Sequence, residues 1–256
     1  MTGEMASSSL TLWKALDQRF DVGETLTQYL PQLRDTFPQL SAARSCAMIG
    51  CGYGYLDLEF VRECLPNVEE LAAVEPDADQ MAELKNRVAK LFPTATVEFF
   101  QETAQGWKGA GKPFQVVLLF HCLYYVPPSE RPALFKRLFD SVVTSGGHVF
   151  ILVNPCTSSA NPPCLVRLNG LLGVQNDPLD GDRVYDMMTS VGFSDCYQLH
   201  INSRMEAGEL DDFVSLYRHW SGGKLSPEVI RNAAKQVFGN KKTVPHDNWF
   251  GVFRKP

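Results

Sequence analysis

No apolar run in this chain approaches the roughly 20 residues needed to span a bilayer, and none near the start forms the core of an export signal. The expectation is a protein of the cytoplasm with no membrane partner. Blocks of Lys and Arg are also missing. With 24 basic against 29 acidic side chains and a net charge of −5, the chain offers no footprint for a phosphate backbone, which argues against nucleic acid. The cysteines Cys46, Cys51, Cys64, Cys122, Cys156, Cys164 and Cys196 show no CxxC spacing and form no cysteine–histidine cluster with ligand spacing, so no metal site is expected and the thiols read as reduced. Repeats and low-complexity tracts are absent. Nothing demands assembly, so a monomer is expected. Hydrophobic residues at 45% and charged residues at 21% exclude a disordered or fibrous chain.

What is present is an alternation of periods. From about Leu10 to Phe37 apolar residues recur at three- and four-residue steps, through Leu12, Leu16, Phe20, Leu26, Leu30 and Leu33, which predicts helix. Short solid apolar runs then alternate with helical stretches. Strands are expected at 46–49, 71–74, 97–100, 115–120, 149–153, 196–201 and 249–253. Helices are expected at 56–64, 78–91, 131–143, 182–191, 209–220 and 227–238, and 154–180 reads as irregular. Continuous Val, Ile and Leu runs suit strands covered on both faces. The pattern predicts the α/β class, a doubly wound Rossmann-like sheet of seven strands, with N-terminal helices and a helical insertion before the last strand. We read one domain, 1–256, in three stretches. Residues 1–43 form a helical lid and 44–153 a cofactor-binding core. Residues 154–256 supply substrate-side insertions and closing strands.

The sharpest motif is Gly50-Cys51-Gly52-Tyr53-Gly54, directly after a strand and opening a helix. Glycines there allow a tight turn and let backbone approach a ligand. The next strand ends in Glu75-Pro76-Asp77, which places an acid about twenty residues on, within reach of ribose hydroxyls. A dinucleotide site prefers G-x-G-x-x-G, whose third glycine keeps the helix close to the pyrophosphate. Here that position is Tyr55. The spacing therefore favours S-adenosylmethionine, which has no pyrophosphate, over NAD. A purely structural turn is the alternative.

From Cys46 to Val153 the chain resembles the class I S-adenosylmethionine-dependent methyltransferases, and within them the histamine N-methyltransferase family. The resemblance lies in Ala73 to Gln80, in Gln101-Glu102-Thr103 and above all in Leu123-Tyr124-Tyr125-Val126. It implies Gly50, Gly52 and Gly54 around the methionine end of the cofactor, with Glu75 and Pro76 at the ribose. Gln80 would lie near the adenosine, Thr103 and Ala104 would border the adenine, and Phe120 would lie against the cofactor. His121 takes the place of a family amide that reaches the substrate, with Tyr124 and Tyr125 beside the methyl-transfer site. Glu24 would stand for a substrate-binding acid. His246, Asp247 and Asn248 match the family's asparagine only loosely, and the family's two tryptophans after the fifth strand have no counterpart in 158–172.

Methyl transfer asks a protein mainly to position a nucleophile, and an amine must also lose its proton. His121 is the candidate base or orienting group, since imidazole titrates near neutrality. Tyr124 and Tyr125 are candidates to wall the site, and Phe20 to close over it. Phe20, Glu24, His121, Tyr125, His246 and Asn248 form the candidate substrate contacts; a core-packing role stands against each. The expected activity is N-methylation of a small amine. The alternatives are a small-molecule O-methyltransferase, a non-catalytic nucleotide-binding module and an NAD-dependent oxidoreductase.

Overall fold

The apolar runs form parallel strands at the centre of one sheet. In the computed structural model, which describes residues 20–153, 164–174, 179–206, 208–220 and 223–256, these are β1 (Ser45–Ile49), β2 (Glu70–Val74), β3 (Thr96–Phe100), β4 (Phe114–Phe120) and β5 (Val143–Val153). Two further strands, β6 (Ser194–Ile201) and β9 (Asn248–Arg254), complete a seven-stranded sheet of order β3-β2-β1-β4-β5-β9-β6. The β9 strand runs antiparallel to both of its neighbours. All five residues of β1 are buried, as expected for a strand covered on both faces. One apolar cluster, including Met48, Leu118 and Phe150, packs on one face, and a second, including Ile49, Leu119 and Trp249, on the other.

The connections decide where a ligand can enter. From β1 the chain winds outward to β2 and β3, then returns to β4 on the other side of β1. That reversal opens a crevice at the carboxyl ends of β1 and β4, where open α/β sheets bind ligands.

The helices follow their sequence signals. The first described, α1 (Val22–Thr36), buries Leu26, Leu30 and Leu33. After it comes α2 (Tyr55–Cys64). In α3 (Ala78–Leu91), Met81, Leu84 and Val88 face inward, and the Asp77 carboxylate caps the start by accepting from the amides of Asp79 and Gln80. The remaining helices are α4 (Arg131–Arg137), α5 (Cys164–Leu171), α6 (Gly181–Ser190), α7 (Leu210–Trp220) and α8 (Pro227–Phe238). A third apolar cluster, with Phe213, Tyr217 and Ile230, ties α7 to α8, and Phe20 packs against it.

Four expectations need correction. Phe20 is not helical: it forms an antiparallel bridge to Met205, and the amide of Arg204 donates to the Asp21 carboxylate at 2.6 Å. Leu10, Leu12 and Leu16 lie outside the described residues. The helix expected to Val143 is α-helical only to Arg137 and continues as a π-helix over Leu138–Val142. The strand β5 then starts at Val143, six residues early, because Gly146 takes φ 77 and an irregularity in the β4 pairing absorbs the extra residues. Within the stretch read as irregular, α5 forms. A second, two-stranded sheet joins β7 (Arg204–Glu206) to β8 (Thr243–Pro245). No described helix is long and apolar enough to cross a membrane.

Candidate active site

The turn after β1 is held from beneath, since the amide of Gly50 donates to Val74 O at 2.7 Å. Gly50, Gly52 and Gly54 adopt φ of 65, 56 and 72°, the left-handed region that side chains disfavour. Their surroundings differ. A Cβ on Gly50 would lie 2.4 Å from Cys122 Cβ, and one on Gly54 would lie 2.3 Å from Leu84 Cδ1. On Gly52 it would meet only the end of Gln80, Oε1 at 2.9 Å. Gly50 and Gly54 are therefore required by the protein's own packing, and Gly52 leaves space for something else. Gly54 is the N-terminal cap of α2 and does not line the cleft, contrary to expectation.

Glu75, at the end of β2, locks this turn. It is 6% exposed; its Oε2 accepts from the Gly52 amide at 2.9 Å and its Oε1 from the Asp77 amide at 3.0 Å. Burial raises its pKa, the amides of Asp77 and Gly52 pull it back, and the Asp77 charge raises it slightly. A carboxylate in this setting retains lone pairs toward the cleft for further donors.

The cleft has a volume of about 880 Å³, within the range of small-molecule sites. Its walls include Gly50, Gly52, Glu75, Pro76 and Gln80, together with Thr103 and Ala104. Phe120, His121 and Tyr125 line the same space, as do Phe20 and Glu24 from the N-terminal segment. The structure thus brings most of the sequence-predicted residues into one space.

The exceptions are informative. Tyr125 is 67% exposed, so it marks the rim. Tyr124 does not line the cleft; it packs against the second core cluster and its Oη lies 3.3 Å from His121 Nδ1. His246 sits one layer back, its ring 4.6 Å from that of Phe20. Asn248 is fully buried there, and its Nδ2 donates to Ser203 Oγ at 2.8 Å and to His246 O at 2.9 Å. Neither His246 nor Asn248 lines the cleft, and their places in the β8–β9 turn and strand explain why.

His121 has the backbone of a special position, with φ 51 in a non-glycine residue, fixed by its amide donating to Leu152 O at 2.9 Å. Burial lowers its pKa to about 4. Its Nε2 is buried without a hydrogen-bond partner among the described residues. His246 is lowered to about 3, by burial first and by His121 second. Both rings are neutral at pH 7.

Two residues escaped the sequence reading. Ser203 anchors Asn248 and carried no signal. Asp57 lines the cleft and is 3% exposed. Its signal was available: Asp57, Phe60, Val61 and Cys64 share the buried stripe of α2, where a carboxylate is out of place. Among the described residues no group of three or more His, Cys, Asp or Glu could hold a metal ion. Burial raises the thiols of Cys46, Cys51, Cys64 and Cys122, leaving them unreactive packing groups.

Comparison with known proteins agrees with this geometry. Residues 47–147 match the family model described as Methyltransferase domain, a span that runs from β1 into β5 and holds the turn, Glu75 and His121. No curated protein matches the chain. Among solved structures, a candidate methyltransferase from Bacillus halodurans C-125 aligns over 90% of this chain and 98% of its own, at 13% identity and TM-score 0.66. The N-methyltransferase NodS from Bradyrhizobium japonicum WM9 aligns over 92% and 99%, at 13% identity and TM-score 0.54. The [4+2]-cyclase SpnF aligns over 87% and 80%, at 14% identity and TM-score 0.53. At such identities the likeness carries the fold alone. The chain has the Rossmann-like fold of these proteins, residues 47–147 match the methyltransferase-domain model, and the cofactor class that goes with that match is S-adenosylmethionine.

Proposed function

We propose that this protein transfers a methyl group from S-adenosylmethionine to the nitrogen of a small amine. The observation that carries the reading is the placement of Gly52, open to the cleft, beside the buried Glu75 carboxylate at the sheet's switch point. In this reading Gly50 and Gly52 border the methionine end, Glu75 and Pro76 the ribose, and Gln80, Thr103 and Ala104 the adenosine, with Phe120 against the cofactor. When bound, S-adenosylmethionine supplies a methyl carbon already activated by a sulfonium.

The protein's part is to position and desolvate the acceptor. In this reading His121 carries its hydrogen on Nδ1, beside Tyr124 Oη at 3.3 Å, and the unpartnered Nε2 is the acceptor for the amine. A ring with a pKa near 4 is a weak base, so His121 orients the amine by hydrogen bonding rather than holding its proton through the reaction. Tyr124 positions His121, and Tyr125 closes the rim. Phe20 lines the cleft, held by the Met205 bridge and by the His246 ring, and these contacts support the reading of the N-terminal segment as a lid on the acceptor site. Glu24, exposed on the mouth, offers a charge to a cationic acceptor.

The resemblance of Leu123–Val126 to histamine N-methyltransferases supports an amine. The missing tryptophan pair leaves imidazoles as one class among biogenic amines and amino acids. Cys46, Cys51, Cys64, Cys122 and Cys196 are free, which supports a reducing, cytoplasmic setting, and the reading is of a monomer.

The test is incubation with S-adenosylmethionine and a panel of amines, phenols and carboxylic acids, read by mass spectrometry. An N-methylated amine with matching S-adenosylhomocysteine supports the proposal. Methylation confined to oxygen acceptors overturns the amine, and cofactor binding without any product overturns catalysis.

A further inference from the structure

The helix after the glycine turn carries a carboxyl group that the proposed reaction leaves idle. Asp57 occupies the third position of α2, on the side shared with Phe60, Val61 and Cys64. It is 3% exposed, it lines the cleft, and its Oδ1 is buried with no hydrogen-bond partner among the described residues. A buried polar atom without a partner is a rarity that calls for a ligand.

The groups around it do not supply one. From β2 comes Glu75, another carboxylate, whose charge disfavours ionised Asp57. Cys46 on β1, Cys51 in the turn and Cys122 after β4 feel the Asp57 charge and are neutral thiols. Glu59 on α2 and Glu24 on α1 add acid to the same cleft. Arg87 is the only Lys or Arg among the described lining residues, and its guanidinium lies 3.6 Å from the centre of the Tyr55 ring.

We infer that Asp57 receives the ammonium group on the amino-acid end of the methyl donor, and that its carboxyl gives up a proton to solvent as that ammonium arrives. The inference rests on the proposed function and assigns a residue to a part of the cofactor that Glu75, at the ribose, does not reach. The proton balance is simple: a neutral carboxylic acid meets an ammonium, an ion pair forms, and one proton leaves for the buffer. Burial is the main reason the acid starts neutral. It raises the Asp57 pKa from 3.8 to about 8, against the pull of its own backbone amide and with a smaller push from Glu75. At pH 7 the group is then about nine-tenths protonated. An ammonium is the cation that reverses this, since three donors can satisfy the orphaned oxygen and its neighbour.

Calorimetry with the whole protein tests this in paired buffers of different ionisation enthalpy. The probes are S-adenosylhomocysteine and 5′-methylthioadenosine, which shares the nucleoside but lacks the ammonium. The expected result at pH 7 is release of about 0.9 proton per S-adenosylhomocysteine and none for methylthioadenosine. Affinity for S-adenosylhomocysteine rises about tenfold between pH 6 and pH 7 and levels off above pH 8. D57N, checked for folding by its thermal transition, binds S-adenosylhomocysteine at least tenfold more weakly, without proton release, and binds methylthioadenosine as the parent does. Equal proton release with both probes, or none with either, overturns the Asp57 assignment while the cofactor site stands. Failure of both probes to bind overturns the proposed function itself.

Discussion

Replacing Glu75 by glutamine separates a ligand-binding carboxylate from a merely structural one. In the parent, Glu75 accepts two backbone amides, from Gly52 at 2.9 Å and Asp77 at 3.0 Å. A glutamine keeps one acceptor oxygen and turns an NH2 toward the other amide, so one bond is lost and two donors face each other. Hydrogen bonds to a charged group contribute about 1.5–3 kcal/mol, which sets the stability loss at ~2–4 kcal/mol once the donor clash is included. Ribose hydroxyls would lose their charged acceptor as well, a further ~1.5–3 kcal/mol, or about 10- to 150-fold in affinity. The assay is titration of E75Q with S-adenosylhomocysteine and with methylthioadenosine, beside urea denaturation. Both ligands share the ribose, so both should weaken alike. Unchanged affinity for both, in a variant whose stability falls as expected, would refute the ribose assignment and leave Glu75 as a clamp on the turn.

Other substitutions probe the remaining parts. G50A puts a Cβ 2.4 Å from Cys122 Cβ at φ 65 and is expected to destabilise by ~3 kcal/mol or more in urea melts. G52A meets only a movable Gln80 end; it should cost ~1 kcal/mol of stability and bind S-adenosylhomocysteine more than tenfold more weakly. H121N suits the left-handed backbone, so S-adenosylhomocysteine affinity should stay within about twofold while methyl-transfer kcat falls at least tenfold; unchanged kcat would remove His121 from the reaction. Stability measured across pH reads the buried groups. His121 and His246, lowered to about 4 and about 3, take up protons on unfolding below pH ~6.5, so stability falls as pH drops through that window. Asp57, raised to about 8, binds its proton only when folded between pH ~4 and 8, so it makes stability fall as pH rises. For these three groups together the maximum lies near pH 6.5, and D57N should flatten the decline above it; a decline that persists in D57N has another source.

Much of this was legible in the residues, for a physical reason. The helix at 78–91 announces itself through its apolar stripe at Met81, Leu84 and Val88, and it forms with those bounds. The solid run at 46–49 reads as a covered strand because nothing polar is there to face water. What stayed hidden depends on distant partners. The early start of β5 rests on an irregular pairing with β4, and three-residue strands such as Arg204–Glu206 leave no periodicity to detect. In the site, Gly52 and Glu75 could be placed because turn and strand end are local. Gly54 could not be told from Gly52, since only the fold brings Leu84 against it. His246 and Asn248 were paired with the acceptor on chain position, whereas Asn248 turns its amide to Ser203 and to the His246 carbonyl.

The most direct measurement is a crystal structure with S-adenosylhomocysteine. It should show the ribose hydroxyls about 3 Å from the Glu75 carboxylate, the amino-acid end between Gly52 and Asp57, and the sulfur facing the His121 side of the cleft. A nucleoside lodged elsewhere, with Glu75 still bonded only to the amides of Gly52 and Asp77, would contradict the account.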